Sequence, residues 1–180
     1  MKTRLYILLA LIAVVFGACN LDSESNYTPY LTVGPFILDG DTLKYQSTAD
    51  GAVLDTITVG DTVFVSVYTN SYRNNLLKLS ITEQGEYTEI LYPPVDSLLI
   101  YPDRTSKESI FHSTSDYTKG KFIFDGELSE LLFSFKYVAK KAGKTVLLKV
   151  AVASDAKLDY NTTGIELRTP IKEKKEEKIE

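Results

Sequence analysis

Apolar and polar residues alternate with a period of two from Leu31 onward, and this alternation constrains the fold more than any other feature of the chain. Four stretches show it best, and the residues predicted to face a core are Val63, Val65 and Val67; Leu77, Leu79 and Ile81; Leu131, Phe133, Phe135 and Tyr137; and Val146, Leu148, Val150 and Val152. Phe64 interrupts the polar side of the first stretch. Strands with this pattern bury one face and expose the other to water.

Turn residues separate the alternating stretches. They are Asp39-Gly40, Asp50-Gly51, Gly60-Asp61, Gly85, Asp125-Gly126 and Ala142-Gly143. Such residues suit tight reversals and positive φ angles. No stretch after the first thirty residues shows a helical stripe, so the pattern predicts an all-β fold, specifically an antiparallel sandwich of two sheets.

Two features suggest a particular kind of sandwich. The strand that begins Gly60-Asp61-Thr62-Val63, and the long strands on either side of Gly143, resemble an immunoglobulin-like domain of the bacterial extracellular kind. The resemblance implies a single antiparallel immunoglobulin-like β-sandwich. With one cysteine and no tryptophan, the chain lacks the disulfide and core tryptophan of antibody domains. The resemblance is therefore architectural and implies no function.

The first nineteen residues predict export. A short positive head precedes an apolar run, 5–16, that falls short of the about 20 residues needed for a membrane-spanning helix. The run closes on Phe16-Gly17-Ala18-Cys19, which resembles the bacterial lipobox, although lipoboxes usually carry Leu where Phe16 stands. The resemblance implies cleavage after Ala18 and lipidation of Cys19, so that acyl chains such as palmitate hold the protein on a membrane. The alternative is an ordinary secretory signal cut at the same bond.

We therefore divide the chain into a signal peptide (1–18), a lipidated tether (19–30), a β-sandwich domain (31–168) and a charged tail (169–180). The polar, acidic start of the tether resembles the segment that follows the lipidated cysteine in surface lipoproteins of Bacteroidetes-type bacteria. Asn20, rather than Asp, follows the cysteine, so the inner-membrane retention signal of enterobacterial lipoproteins is absent. The resemblance implies an outer-membrane lipoprotein, with the cell surface favoured over the periplasmic leaflet.

Composition excludes several classes of partner and stabilising device. Removal of the signal peptide takes two positive charges from a formal net charge of −4, which leaves −6. An acidic chain without a basic cluster argues against nucleic acid as a partner. A single cysteine excludes an internal disulfide, so apolar burial must stabilise the domain, and 44% hydrophobic residues can supply it. No motif predicts a cofactor.

Residues that could carry catalysis or bind a metal form no recognisable site. His112 is the single histidine, which excludes a multi-histidine metal site and leaves any catalytic triad one candidate base. The segment 138–145 ends Gly143-Lys144-Thr145 like a phosphate loop, but a strand follows it, so we predict a hairpin turn. Asp39-Gly40-Asp41 lacks the further acids of a calcium loop and is predicted to be a turn. We predict no catalytic residue and no metal site.

Four Asp-Ser/Thr-apolar triplets resemble the O-glycosylation motif of exported Bacteroidetes-type proteins. The hydroxyl residues are Thr42, Thr56, Thr62 and Ser97. The resemblance implies modification at these positions. An aspartate in a turn, followed by the β-branched residues that begin a strand, gives the same triplet. The pattern therefore leaves both glycosylation and turn structure open.

One region is a candidate binding surface. The segment 83–119 is rich in tyrosine and proline, and we predict a short strand at 95–101 with loops around it. Tyrosine rings suit stacking on sugars or anchoring a protein contact, and the candidate ligand-binding residues are Tyr87, Tyr92, Tyr101, Asp103 and Arg104. The alternative is that these tyrosines pack over sheet edges.

The predicted function is therefore a non-enzymatic accessory binding or assembly subunit that contacts a glycan or an envelope protein at the outer membrane. One alternative is a small carboxylate-dependent glycan hydrolase, which would need two acids in one concave pocket. Another is a structural subunit of a surface fibre, which an exposed, unpaired edge strand would favour.

Overall fold

A computed structural model describes residues 27–93, 114–124, 127–157 and 161–174. Their strands are β1 (Tyr30–Leu38), β2 (Asp41–Thr42), β3 (Tyr45–Thr48), β4 (Gly51–Leu54), β5 (Ile57–Thr58), β6 (Thr62–Asn70), β7 (Leu76–Glu83), β8 (Thr88–Leu91), β9 (Lys121–Ile123), β10 (Glu130–Ala139), β11 (Gly143–Ser154) and β12 (Thr162–Lys172). Apart from a 3-10 turn at Tyr117–Lys119, these residues contain no helix. The prediction of an all-β fold is confirmed.

In the described ranges, no helix has the length and apolar character needed to cross a membrane.

The strands form two sheets. The first sheet has five strands in the order β2-β1-β6-β10-β8, and every pair in it is antiparallel. The second has seven strands in the order β3-β4-β12-β11-β7-β9, with β5 also paired to β12. In the second sheet β12 runs parallel to both β4 and β5, so the predicted wholly antiparallel arrangement is wrong there. The chain leaves the first sheet after β2, and β3, β4 and β5 join the second sheet beside β12 before β6 returns to the first.

The inner faces of the two sheets share one hydrophobic core. The sets predicted for β6, β10 and β11 are all buried in it. In β7, Leu79 and Ile81 are buried as predicted, but Leu77 is exposed and Leu76 is buried in its place. A register shift against β11 explains this error, because Ser154 pairs with Leu76 while the adjacent Ala153 pairs with Lys78. Such a bulge changes the side of the sheet on which the next residue lies.

Aromatic rings join the two sheets across the core. The ring centroid of Phe122 in β9 lies 4.9 Å from that of Phe133 in β10, in a tilted arrangement. Phe133 in turn lies 6.2 Å from Phe135 on the same strand. Offset and tilted ring pairs at these distances are favourable beyond the area that they bury.

The segment between β10 and β11 connects the sheets rather than closing a hairpin. Strand β10 pairs with β6 and β8 in the first sheet, whereas β11 pairs with β12 and β7 in the second. The predicted hairpin turn is therefore wrong. Two strands that face each other across a core show the same alternation as two strands that pair, so the pattern does not separate the two cases.

Strand register defines the ends of the sandwich. Tyr30, Asn70 and Glu130 are paired across β1, β6 and β10 at one end. We call this the Tyr30 end. The loops 71–75 and 127–129 also lie here, because they lead out of β6 and into β10.

The last strand continues past the predicted domain boundary at residue 168. Strand β12 extends to Lys172. Thr169 and Ile171 within this extension are buried, and Ile171 pairs with Ile57 of β5.

Candidate binding surface

The outer face of the first sheet carries four large apolar side chains in contact with solvent. Tyr30 is 50% exposed, Phe64 42%, Leu91 47% and Leu132 41%. They belong to four neighbouring strands, β1, β6, β8 and β10. We call these four residues the apolar face. They are spread along the face rather than in one patch, because Lys136 separates Phe64 from Leu91 and the pair of Ser66 and Ser134 separates Phe64 from Leu132.

The alternation within each strand places these residues outside. Val63, Val65 and Val67 point into the core, so Phe64 points outward between them. Leu132 lies between the buried Leu131 and Phe133 and points outward for the same reason. The interruption of the polar side at Phe64 is thus the signal in the sequence that marks this surface.

Pairing across the strands arranges these side chains in two rows. Phe64 opposes Lys136, which in turn opposes Leu91. Nearer the Tyr30 end, Tyr68 opposes Leu132. Side chains directly opposite each other in a sheet lie about 5 Å apart at Cβ.

A polar pair separates the two apolar rows. The hydroxyl oxygens of Ser66 and Ser134 lie 3.2 Å apart, at hydrogen-bonding distance, and each side chain is half-buried. Lys136 is exposed and is the cation among the outward residues of these rows. The outer face therefore combines separate apolar side chains with a satisfied polar centre, the cation Lys136 and the exposed acid Glu89, which lies two residues from Leu91 on β8.

Four tyrosines gather at the Tyr30 end. The ring centroids of Tyr27 and Tyr72 lie 5.6 Å apart, and those of Tyr30 and Tyr68 lie 6.1 Å apart with edge-to-face geometry. Tyr27, Tyr30 and Tyr72 are all exposed. We call Tyr27, Tyr30, Tyr68 and Tyr72 the tyrosine cluster. Sequence reasoning missed it because its members come from three separate segments of the chain.

Hydrogen bonds hold Tyr68 in place within the cluster. Its hydroxyl donates to Glu130 Oε1 at 2.5 Å and accepts from Asn70 Nδ2 at 3.3 Å. The bond to the Glu130 carboxylate raises the pKa of Tyr68, because a protonated phenol is needed to make it. The Tyr68 ring is therefore fixed as a neutral donor on the sheet.

Tyr72 adopts a left-handed backbone conformation with φ of 62°. For a bulky residue this is an outlier that the surroundings must enforce. The Asn70 side chain accepts a hydrogen bond from the Tyr72 backbone nitrogen at 2.7 Å. The buried Ser71 hydroxyl donates to the Asn74 carbonyl at 2.6 Å, and the Ser71 backbone nitrogen donates to Ser129. This loop is therefore held so that Tyr72 and the exposed Arg73 point outward.

The outer face of the second sheet differs in chemistry. Glu166 on β12 pairs with Lys149 on β11 at 2.5 Å and with Arg168 at 3.2 Å. The Lys149 hydrogen bond, followed by its charge and that of Arg168, holds the pKa of Glu166 below its usual value. Ala151 and Gly164 are paired beside these charges and line an open hollow of about 400 Å³ with them. Small and mutually paired charged residues make this a solvated surface.

Of the predicted ligand-binding residues, two lie within the described ranges and both contact the core. Tyr87 is half-buried, and its ring lies 5.4 Å from Lys141 Nζ. Tyr92 is half-buried with its ring 5.1 Å from that of Phe122, and burial raises its pKa. Tyr101, Asp103 and Arg104 lie outside the described residues, as does the strand predicted at 95–101, so the predicted patch stays a prediction.

Three of the four candidate glycosylation residues can be placed. Thr42, Thr56 and Thr62 are all exposed, in β2, before β5 and at the start of β6. The aspartate before Thr62 also closes a turn, because Asp61 Oδ2 accepts a hydrogen bond from the Thr58 backbone nitrogen at 2.7 Å. Ser97 lies outside the described residues, as do Cys19 and His112.

Carboxylates of the described residues do not assemble a metal site. No group of three or more histidine, cysteine, aspartate or glutamate residues in those ranges could hold an ion. Asp39, Asp41 and Asp55 line one open hollow together with Lys44. Glu83 is half-buried and accepts a hydrogen bond from the Thr88 hydroxyl at 3.1 Å; burial raises its pKa.

No protein-family model matches this chain, and no curated protein matches its sequence. Solved structures with a similar course of chain include a DUF4466 family protein from Parabacteroides merdae, with 10% identity, a TM-score of 0.43 and coverage of 78% of this chain and 43% of that one. A family 123 glycoside hydrolase from Clostridium perfringens has 12% identity, a TM-score of 0.36 and coverage of 82% and 28%. The secreted serine protease VesC from Vibrio cholerae has 12% identity, a TM-score of 0.29 and coverage of 72% and 23%.

The matched region spans less than half of each of these three longer chains. Their TM-scores lie below 0.5, so we base no argument about fold or function on them. The surfaces described above must carry the functional inference.

Proposed function

We propose that this chain is a lipid-anchored, non-enzymatic binding or assembly subunit of the outer membrane that docks a protein partner on its apolar face. The observation that carries the proposal is the exposure of Tyr30, Phe64, Leu91 and Leu132 on one side of the first sheet. The other side of the same sheet already supplies the core. An outward apolar surface on a sheet whose core is complete is explained by a partner that covers it.

The chemistry of the apolar face favours a protein over a glycan. Phe64, Leu91 and Leu132 offer no hydrogen-bonding group to sugar hydroxyls, and the Ser66 and Ser134 hydroxyls already contact each other. Apolar side chains around a satisfied polar pair are typical of the centre of a protein interface. Lys136 lies between Phe64 and Leu91, so the partner would place a carboxylate opposite it.

The anchor and the location are part of the proposal and are supported by the sequence. The Phe16-Gly17-Ala18-Cys19 motif supports acylation of Cys19, and Asn20 after it supports sorting to the outer membrane. The cell surface is our preferred leaflet. Metabolic labelling with palmitate in the wild-type chain and in Cys19→Ser tests the anchor, and added protease on intact cells tests the leaflet.

We also propose that the architecture is immunoglobulin-like. Supporting this, β1-β6-β10-β8 follows the A-B-E-D order of such domains, and β12-β11-β7 follows G-F-C. The segment from β2 to β5 is then an insertion between the first two strands, and β9 is an additional strand beside β7. A similarity of architecture carries no function by itself.

The non-enzymatic assignment rests on how the acids are arranged. Glu83 has the raised pKa that suits an acid catalyst, but its hydrogen-bond partner is Thr88 rather than a second carboxylate. Among the described residues, Asp39, Asp41 and Asp55 share an open hollow and are the candidates for the hydrolase alternative. Glycan hydrolysis that disappears in a chain carrying Asp39→Asn and Asp55→Asn would replace the binding proposal with that alternative.

Cross-linking in cells tests the docking proposal. We expect a discrete cross-linked partner in the wild type, and its loss in Leu132→Asp, because a buried unpaired carboxylate in an apolar interface is costly. Ala151→Asp is the matched control, since it places the same group on the outer face of the second sheet beside Lys149. If the cross-linked partner is retained equally in Leu132→Asp and Ala151→Asp, the apolar face is not the docking site.

The fibre alternative also has a specific observation in its favour. Strand β3 is exposed along its whole length and, within the described ranges, pairs with β4 alone. An open edge of this kind can accept a strand from another molecule. Ser47→Pro, which removes a backbone donor that points away from β4, would abolish assembly of a fibre but leave docking on the apolar face unchanged.

We further propose that Thr42, Thr56 and Thr62 are open to O-glycosylation, which their exposure supports. Intact-mass measurement of the chain from its native host, compared with a triple alanine variant, tests this. An unmodified wild-type mass would assign the triplets to turn structure.

A further inference from the structure

We propose that the tyrosine cluster, with Arg73, rests on the surface of the bilayer that carries the lipid anchor and so orients the domain on its membrane. This inference rests on the proposed acylation of Cys19. The cluster shares Tyr30 with the apolar face, whereas Phe64 and Leu91 lie toward the opposite end of the sheet.

Chain length places the cluster close to the anchor. Cys19 and Tyr27 are eight residues apart in the sequence, so they can be separated by no more than about 29 Å. Tyr27 belongs to the cluster itself and contacts Tyr72. The surface through which the chain leaves the domain toward the anchor is therefore the tyrosine surface.

Two hydrogen bonds fix the point where the chain joins the domain. The Thr163 hydroxyl on β12 donates to the Pro29 carbonyl at 2.7 Å. The Thr69 hydroxyl on β6 donates to the Tyr30 carbonyl at 2.9 Å. The segment is thus tied to both sheets, and the domain cannot turn about this junction without breaking these bonds.

The side chains at this end suit a headgroup region. Tyrosine has an apolar ring and a polar hydroxyl, and it is enriched at membrane interfaces. Tyr27, Tyr30 and Tyr72 are exposed, and Arg73 at the tip of the same loop can meet lipid phosphate. The left-handed backbone conformation of Tyr72 directs its ring outward beside Arg73, so that both side chains can reach the headgroups.

Charges of both signs lie at this end, so the contact does not depend on anionic lipid. Glu130 is engaged by Tyr68, and Asp155 accepts two hydrogen bonds from Asn75, at 2.7 Å and 3.0 Å. Arg73 offsets part of this negative charge. We therefore expect binding to neutral lipid and a weak dependence on salt.

The absence of tryptophan from the whole chain allows a direct test. Tyr72→Trp introduces a single fluorescent reporter in the cluster. Tyr45→Trp is the matched control, since Tyr72 and Tyr45 are each 51% exposed and Tyr45 contacts Phe36, six residues along β1 from Tyr30. Both proteins would be purified as cells process them and floated with phosphatidylcholine vesicles whose acyl chains are brominated.

We expect quenching in the Tyr72→Trp protein to exceed that in the Tyr45→Trp protein by about tenfold, since bromine quenches over short range and the two positions lie about 20 Å apart along the strand. Adding Tyr27→Ser and Tyr30→Ser to the first protein should remove most of this quenching. Equal quenching at the two positions, absence of quenching in protein that floats, or failure to float would each overturn the inference.

Other outcomes distinguish this inference from the proposed function. If the protein is not labelled by palmitate but the Tyr72→Trp reporter is still quenched, the lipid anchor is contradicted and the contact of the tyrosine cluster with the bilayer is supported. Palmitate labelling with equal quenching would overturn the membrane contact and leave the anchored docking subunit intact. Protection of the Tyr72→Trp reporter by a soluble glycan, without vesicles, would assign the cluster to sugar binding instead.

Discussion

The outer faces of the two sheets expose different kinds of side chain. On the second sheet, Glu166 pairs with Lys149 and Arg168 beside the small residues Ala151 and Gly164, which suits a surface left in water. On the first sheet, Phe64, Leu91 and Leu132 are exposed outward, whereas on the second sheet Leu77 of β7 is the large aliphatic side chain with comparable exposure among the described residues. Residues from both inner faces form the hydrophobic core, so burial in the core does not explain the difference. We propose that a partner covers the outer face of the first sheet, and the predictions below test the contrast between the two faces.

The largest expected effect compares the two sides of the first sheet. Phe133→Ala should lower the free energy of unfolding by about 3 to 5 kcal/mol, because Phe133 is buried against Phe122 and Phe135. Phe64→Ala on the outer side should lower it by no more than about 1 kcal/mol, through lost contacts with Ile37 and Lys136 on the adjacent strands. Denaturant titration of both variants measures this. A large loss in Phe64→Ala would mean that Phe64 stabilises the fold, and the contrast between the faces would lose its functional meaning.

The second comparison concerns the edge of the second sheet. A Cβ atom at Gly51 would lie 2.0 Å from the Glu166 carbonyl oxygen, and Gly51 has φ of 152°. Gly51→Ala should therefore cost about 2 kcal/mol or more and loosen the parallel pairing of β4 with β12. Gly40→Ala is the control, since Gly40 also has positive φ but open space around it. Equal losses of stability in the two variants would show that the positive φ alone, and not a clash with the Glu166 carbonyl, destabilises Gly51→Ala.

The third prediction concerns Glu83, which lies at the rim of the core. Burial raises its pKa in the folded state, so the folded protein holds this proton more tightly than the unfolded chain does. Stability contributed by the protonated form is therefore lost as pH rises from the unfolded value of about 4.5 through the raised folded pKa. Glu83→Gln should stabilise the protein at neutral pH by less than about 1 kcal/mol, because the group is half-exposed. This gain in stability should vanish in acid, where Glu83 is protonated in both states. A gain that does not change with pH would show that it does not come from the ionisation of Glu83.

The smallest effect concerns the ion pairs of the second outer face. The pKa of Glu166 is lowered, so its contribution to stability is present above the ordinary carboxyl pKa and is lost as pH falls through the folded value. Glu166→Gln should give a small loss at neutral pH that high salt abolishes, because exposed ion pairs are screened. Unfolding measured at low and high salt tests this. A loss that persists in high salt would show that Glu166 supports the sheet by packing instead.

The candidate site was predictable only in part. The sequence marks Phe64 as an apolar residue on a polar side, and this is the local signature of the apolar face. The tyrosine cluster has no such signature, because Tyr30 meets Tyr68 through the pairing of β1 with β6, and Tyr27 meets Tyr72 through the loop that follows β6. The sequence instead directed attention to Tyr87 and Tyr92, which lie against the core.

Local alternation was sufficient to predict the β class, the core-facing residues of β6, β10 and β11, and the turns that precede β2, β4 and β6, whereas Asp125-Gly126 lies outside the described residues. These follow from a local period of two, which any strand with one buried face must have. The tertiary structure alone decided that β12 pairs in parallel with β4, that β10 and β11 belong to different sheets, and that Leu76 rather than Leu77 is buried. Alternation records which face of a strand is buried, but the partner of that strand and its register depend on contacts between residues far apart in the chain.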